Sequence, residues 1–161
     1  MARAAVSRSA VVAAGLLCAA LACASGPPRP QGTDWLPALA PGQGRLILYH
    51  TNDTDITLFH PQLSVDGEPV GELPVGTFLY VDRPPGVHEI GVLKQPNVSA
   101  FGGQAPTPPV AIQLVPGETS YMRFNVLSSP VWINSTLTPM DPEVAQHNLA
   151  TLHPAVTAGE D

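Results

Sequence analysis

Beyond residue 23 the chain contains no cysteine; its only two, Cys18 and Cys23, sit in the opening stretch. A structural disulfide in the folded part is therefore excluded, and no thiolate remains to help hold a metal. Charge is scarce as well. Only 12% of residues are charged, and the 13 acids outnumbering 7 bases are not gathered into a block, so they read as a solvated surface. Past the leader the bases are Arg29, Arg45, Arg83, Lys94 and Arg123. So few cannot build the positive face that a phosphate backbone requires, so no nucleic acid partner is expected. Also missing are G-x-S-x-G, H-E-x-x-H and a phosphate-cradling Gly-Lys loop.

The remaining polar candidates are ordinary. His50, His60, His88, His147 and His153 fall at no metal-ligand spacing, and His88, on an apolar strand face after a turn, reads as a satisfied structural histidine. Asp53 and Asp55 lack the following Gly and later bidentate Glu of a calcium loop and read as turn acids. No metal site, no catalytic residue and no cofactor is expected.

What the chain does have is punctuation: 19 prolines and 14 glycines. Long helices are disfavoured, and short strands joined by turns are favoured. Length leaves room for one domain.

Residues 1–22 have the parts of an export signal: Arg3 and Arg8, a thirteen-residue apolar run over 10–22, then small residues. The run is shorter than the roughly 20 residues a spanning helix needs, so a cleaved signal fits better. Ala20-Leu21-Ala22-Cys23 resembles a bacterial lipobox, with Ala20 where Leu is usual. Lipidation of Cys23 is the preferred reading; cleavage after Ala24, at a small-x-small site, is the alternative. Acyl chains on Cys23 would hold the protein on a leaflet without a spanning helix. Loss of Arg3 and Arg8 leaves 5 bases against 13 acids, a net charge of −8 instead of −6. Ala24, rather than Asp, follows the cysteine, as in lipoproteins sent to the outer membrane. Residues 23–43, rich in Pro and Gly, are expected to form a semi-extended tether, with Trp35-Leu36 packed on the domain edge.

The folded domain is expected over 44–152, with 153–161 a flexible tail. Residues 45–50 suit a first strand, Leu46 and Leu48 on one face, Ile47 and Tyr49 on the other. Asp66-Gly67, between 62–65 and 69–71, is a hairpin signal because both residues tolerate positive φ. Residues 77–82 alternate, with Phe78 and Tyr80 on one face; Arg83-Pro84-Pro85-Gly86 turns the chain into 87–93. A long loop over 96–109 follows. Residues 110–115 and 119–127 alternate again, the second with Met122, Phe124 and Val126 inward and Tyr121, Arg123 and Asn125 outward. Residues 131–134 suit a last strand. Asp141-Pro142-Glu143 opens a short helix carrying Ala145, Leu149 and Leu152 on one side, ended by Pro154. Together these predict a mainly β fold, a small antiparallel sandwich of about seven or eight strands with a short C-terminal helix.

Four motifs recur in a characteristic order: Tyr49-His50; Val65-Asp66-Gly67-Glu68-Pro69-Val70-Gly71-Glu72-Leu73-Pro74-Val75-Gly76; Pro85-Gly86-Val87-His88; and Gly117-Glu118-Thr119-Ser120-Tyr121-Met122-Arg123. This series resembles a family of small bacterial lipoproteins classed as a domain of unknown function. Its hairpin-and-PGxH spacing is similar to that of PEGA domains, surface-associated, immunoglobulin-like β-sandwich modules. The resemblance covers about residues 44–152. His50 departs from it, since the family more often has Arg there. Neither group implies a catalytic residue.

The functional expectation is a non-enzymatic lipoprotein of the cell envelope, anchored at the periplasmic face of the outer membrane. It would bind an envelope protein or polysaccharide, or serve a structural role. Outward-facing Tyr49, Tyr121 and Arg123 form a candidate binding patch, with cross-strand packing and an Arg123–acid pair as the plainer reading. Rival expectations are a hydrolase of envelope polymers, with the 96–109 loop as its lid, and an unanchored secreted β-domain.

Overall fold

The structure, a computed structural model, describes residues 31–53, 60–94, 106–128 and 133–155. The expected signal peptide, Cys23, most of the 96–109 loop, Val131 and Trp132, and the last six residues lie outside them. Among the described residues, nine strands and one helix follow in order: β1 (Gly44–His50), β2 (Gln62–Val65), β3 (Glu68–Glu72), β4 (Thr77–Arg83), β5 (Gly86–Lys94), β6 (Val110–Leu114), β7 (Thr119–Ser128), β8 (Ile133–Met140), α1 (Pro142–Leu149) and β9 (His153–Pro154). They make two sheets, a five-stranded one ordered β8-β7-β1-β4-β9 and a four-stranded one ordered β3-β2-β5-β6. The fold is a small, mainly β sandwich. Most pairings are antiparallel, but β1 runs parallel to β7 and β4 to β9.

Strand β1 is the centre of the five-stranded sheet, and all seven of its residues are buried. A strand covered on both faces needs an almost continuous apolar run, which Leu46-Ile47-Leu48-Tyr49 supplies. Gly44 starts it because a Cβ there would meet the Val115 carbonyl at 2.9 Å, where the chain presses against the end of β6. The β2–β3 hairpin turns on Asp66 (φ 53) and Gly67 (φ 80), two consecutive left-handed residues that match the twist of the flanking strands. The Pro84-Pro85 corner does not close a hairpin. It carries the chain from β4 in one sheet to β5 in the other.

Four expectations about boundaries are corrected. The strand expected at 131–134 runs to Met140, not to Asn134. Beyond Ile133 only Ser135 and Leu137 turn inward, while Asn134, Thr136 and Thr138 face water, so this edge strand is mostly polar and tolerates Pro139. The helix ends at Leu149, capped by Ala150, and Pro154 lies instead in β9. His153 N–H donates to the Gly76 carbonyl at 3.1 Å and Ala155 N–H to the Phe78 carbonyl at 2.8 Å, so 153–155 join the sheet edge rather than a tail. Residues 31–43 likewise belong to the folded unit. Gly32 N–H donates to the Leu152 carbonyl at 3.1 Å, and Trp35 lies on Phe78 and Tyr80 with ring centroids 6.2 and 6.4 Å away.

The strap formed by residues 31–37 is clamped by Arg45. Its guanidinium binds both carboxylate oxygens of Asp82, at 2.7 and 2.8 Å, and donates to the Pro37 carbonyl at 2.8 Å. It also lies over the Tyr80 ring, 5.0 Å from the centroid. The Asp82 hydrogen bonds hold the Arg45 pKa above its ordinary value, against the cost of burial.

Two cores result. Between the sheets Leu46, Leu48, Leu79, Met122 and Phe124 meet Leu63, Val65, Leu73, Ile90 and Leu114. On the far face of the five-stranded sheet Ile47, Tyr49, Phe78 and Tyr121 pack under Ala145, Leu149 and Leu152, with Leu36 of the strap beside them. Each fully buried aliphatic side chain contributes about 1.5–3 kcal/mol relative to exposure.

Candidate functional site

The end of the five-stranded sheet at which β1 leaves is polar and open. Here the loop Thr51-Asn52-Asp53, Arg123 of β7, His147 and Asn148 of α1 and the following Ala150, Thr151 and Leu152 line a cleft of about 470 Å³. Sequence places these residues far apart. They meet because β1 and β7 are parallel neighbours, with Tyr49 opposite Arg123, and because α1 lies across them. Asp141 sets the helix start by accepting the Glu143 N–H at 2.9 Å, with Pro142 in the first turn.

Arg123 and Asp53 form an ion pair inside the cleft. The Thr51 hydroxyl donates to the same carboxylate, and this bond, with the Arg123 guanidinium, holds Asp53 below the ordinary carboxylate value. Arg123 is one-quarter exposed at its side chain. Its Nε is buried and has no hydrogen-bond partner among the described residues. The remaining lining groups are amides, hydroxyls and an imidazole over the apolar Ala150 and Leu152. With the Arg123–Asp53 pair matched, the described lining offers donors and acceptors together, which suits a polar ligand of mixed hydrogen-bonding character.

The structure brings Tyr49, Tyr121 and Arg123 onto one face, yet not as an open patch. Tyr49 is 0% and Tyr121 8% exposed, because α1 covers both rings. Asn148 Nδ2 donates to Tyr49 Oη at 3.3 Å and Gln146 Nε2 to Tyr121 Oη at 3.4 Å, so each hydroxyl is met by the helix. Only Arg123 reaches the surface, and it is paired. The outward aromatic patch is thus corrected: strand alternation put these residues on the second face, but a helix, not water, covers it. Asn52, His147, Asn148 and Thr151 were missed, since nothing in their spacing links a loop after β1 to the last turn of α1.

His50 lies beneath the loop on the inter-sheet face, 1% exposed. Its Nδ1 is 3.4 Å from the Leu73 carbonyl and its ring stands edge-on to Phe124 at 5.2 Å, while Nε2 is buried without a partner among the described residues. Burial holds its pKa below the ordinary histidine value. His88 lies elsewhere, between Asp66 and the Pro84 carbonyl. Among the described residues no group of three or more His, Cys, Asp or Glu side chains is placed to hold a metal, and no helix is long and apolar enough to cross a membrane. In comparisons with protein-family models, curated proteins and solved structures, the chain matches none of them.

Proposed function

We propose that this chain is a non-enzymatic lipoprotein of the bacterial envelope, held at the periplasmic face of the outer membrane by an acylated Cys23, and that it works as a binding module through the cleft over Arg123. The observation that carries the binding role is the cleft itself: a concave site of ligand size whose polar groups converge from a loop, a strand and a helix. The anchor rests on the lipobox-like residues before Cys23. The likeness of the hairpin and PGxH motifs to surface-associated sandwich modules supports the same role.

The docked strap bears on this reading. Only residues 24–30 separate Cys23 from Gln31, a reach of at most about 29 Å when fully extended. The strap enters beside Leu152, whose carbonyl it binds and which is one of the residues lining the cleft. An anchored domain therefore carries its cleft at the tethered end, near the membrane surface.

Two measurements test the reading. Cys23→Ala should move the protein from the membrane to the soluble periplasmic fraction, and unchanged retention would refute the anchor. A photo-crosslinker at His147 on the cleft rim should capture an envelope component in cells, whereas one at Val87, exposed on the other sheet, should not. Equal labelling from both positions would remove the cleft from the proposal.

A further inference from the structure

Away from the cleft, three segments meet at one side chain. His88 of β5 places Nδ1 2.7 Å from Asp66 Oδ2, in the β2–β3 turn, and Nε2 2.8 Å from the Pro84 carbonyl oxygen, in the β4–β5 corner. A carbonyl oxygen has no hydrogen to give. Both carboxylate oxygens of Asp66 are engaged: Oδ2 faces His88 and Oδ1 accepts the Glu89 N–H at 2.9 Å, while the Asp66 backbone N–H donates to the Glu89 carbonyl at 2.8 Å. Its side chain is 48% exposed, so water stabilises its charged form. A neutral imidazole carries one N–H and would satisfy only one of these two acceptors. The imidazolium carries two and satisfies both.

We propose that His88 is held in the folded protein as an imidazolium, and that this proton latches the β2–β3 turn to the β4–β5 corner as a pH-sensitive junction.

Asp66 does more than accept the hydrogen bond from the imidazolium. The β2–β5 pairing runs from Gln62 opposite Lys94, through a register shift before Leu63, to Val65 opposite Ile90 and stops there. Asp66 continues it by one step, using its backbone N–H and its carboxylate against the two backbone groups of Glu89. The latch thus fixes where the edge hairpin β2–β3 leaves β5. The charged groups around His88 are few. Asp66 favours its positive form; Arg83 of β4, itself paired with Glu68 of β3 at 3.4 Å, opposes it. From β6 the residue opposite is the uncharged Ile112. The hydrogen bond to Asp66, then that to Pro84, raises the histidine above its ordinary pKa despite partial burial, and the same contact lowers Asp66.

The sign follows. A histidine raised in the fold stabilises it fully below the free value of about 6.5, and that contribution is lost as pH climbs through the raised value. Losing the proton sets a lone pair against either the carboxylate or the carbonyl, so one of the two ties opens. At the acid end the carboxylate partner sets the other limit, since its contribution is lost as pH falls below its own lowered value. The latch is closed between these limits.

The test is a ring-nitrogen NMR titration of the full-length chain carrying Cys23→Ala. Below the midpoint both His88 nitrogens should resonate as protonated, and the midpoint should lie above about 6.5. Asp66→Asn should bring that midpoint down towards the free value, and exchange of the Glu89 amide, corrected for its intrinsic pH dependence, should speed up as the wild type passes its midpoint. A midpoint at or below the free value, a lone pair on either nitrogen at pH 6, or a midpoint indifferent to Asp66→Asn would overturn the proposal. The wild-type titration decides even if the variant fails to fold.

Discussion

The two faces of the five-stranded sheet are buried in different materials. Between the sheets the neighbours are aliphatic chains and two inward rings, Phe124 and His50, closed off by a second sheet. On the far face the neighbours are Tyr49, Tyr121, Phe78, Tyr80 and Trp35, closed off by an eight-residue helix and the strap of residues 31–37. A helix that short is marginal alone, so packing must hold it in place. Its cover is thin, and the residues beneath it are those whose polar tips can meet helix side chains at the rim. The first face is a dry core; the second is an amphipathic seam, and the cleft opens where the seam ends. The inter-sheet core and the cleft thus lie on opposite sides of one sheet.

A matched pair of truncations would break or sharpen this contrast most. Leu48 and Leu149 are each 1% exposed, one on each side. Leu48→Ala should cost about 4–5 kcal/mol, because two sheets cannot close over the void, and Leu149→Ala about 2–3 kcal/mol, because the helix can settle. Urea unfolding of both variants checks this; equal losses would mean the two layers are equally rigid.

Arg45→Met comes next. It leaves Asp82 without its bidentate partner, but Asp82 is partly exposed and can recover water. The expected loss is about 2 kcal/mol, in the range for hydrogen bonds to charged groups, together with release of the strap. Trp35 fluorescence should shift to the red and cleavage by a protease before residue 40 should accelerate, while Arg83→Met, at the more exposed pair with Glu68, should do neither.

The smallest effect concerns the polar ring on the dry side. His50 is held below its ordinary pKa, so the unfolded chain takes up the proton first. Its contribution is intact above about 6.5 and falls as pH drops from there towards the lowered folded value, by at most about 1.4 kcal/mol per pH unit. Denaturation at pH 7 and pH 5 should show a drop that His50→Phe reduces. This slope is opposite to that of His88, so the two histidines bound the stable range from either side.

Much of the dry side was legible in the chain. Alternation in 110–115 and 119–127 assigned the inward residues correctly, alternation in 45–50 and 77–82 separated the two faces, and Asp66-Gly67 marked the hairpin, because strand periodicity and turn chemistry are local. The same alternation also put Tyr49 and Tyr121 correctly on the opposite face from Leu48 and Met122. It could not say that the opposite face is covered. That depends on α1, some twenty residues further on, and on the strap, which precedes the sheet. Likewise Pro154 reads as a helix stop, and the strand expected at 131–134 stops short of Met140, until neighbouring strands supply their partners.

Local chemistry therefore determined that this chain is a mainly β sandwich, where it turns, which side chains enter the inter-sheet core, and that its helix starts at Asp141. These follow from φ preferences, side-chain alternation and capping, which act over a few residues. Tertiary structure decided that β1 and β7 lie parallel, that the strap is clamped by Arg45, that the tyrosines are covered, and that Asp53, Arg123 and His147 share one cleft. Each of these depends on which distant segment closes a face, and such pairing is set by burial of the whole assembly rather than by any single stretch.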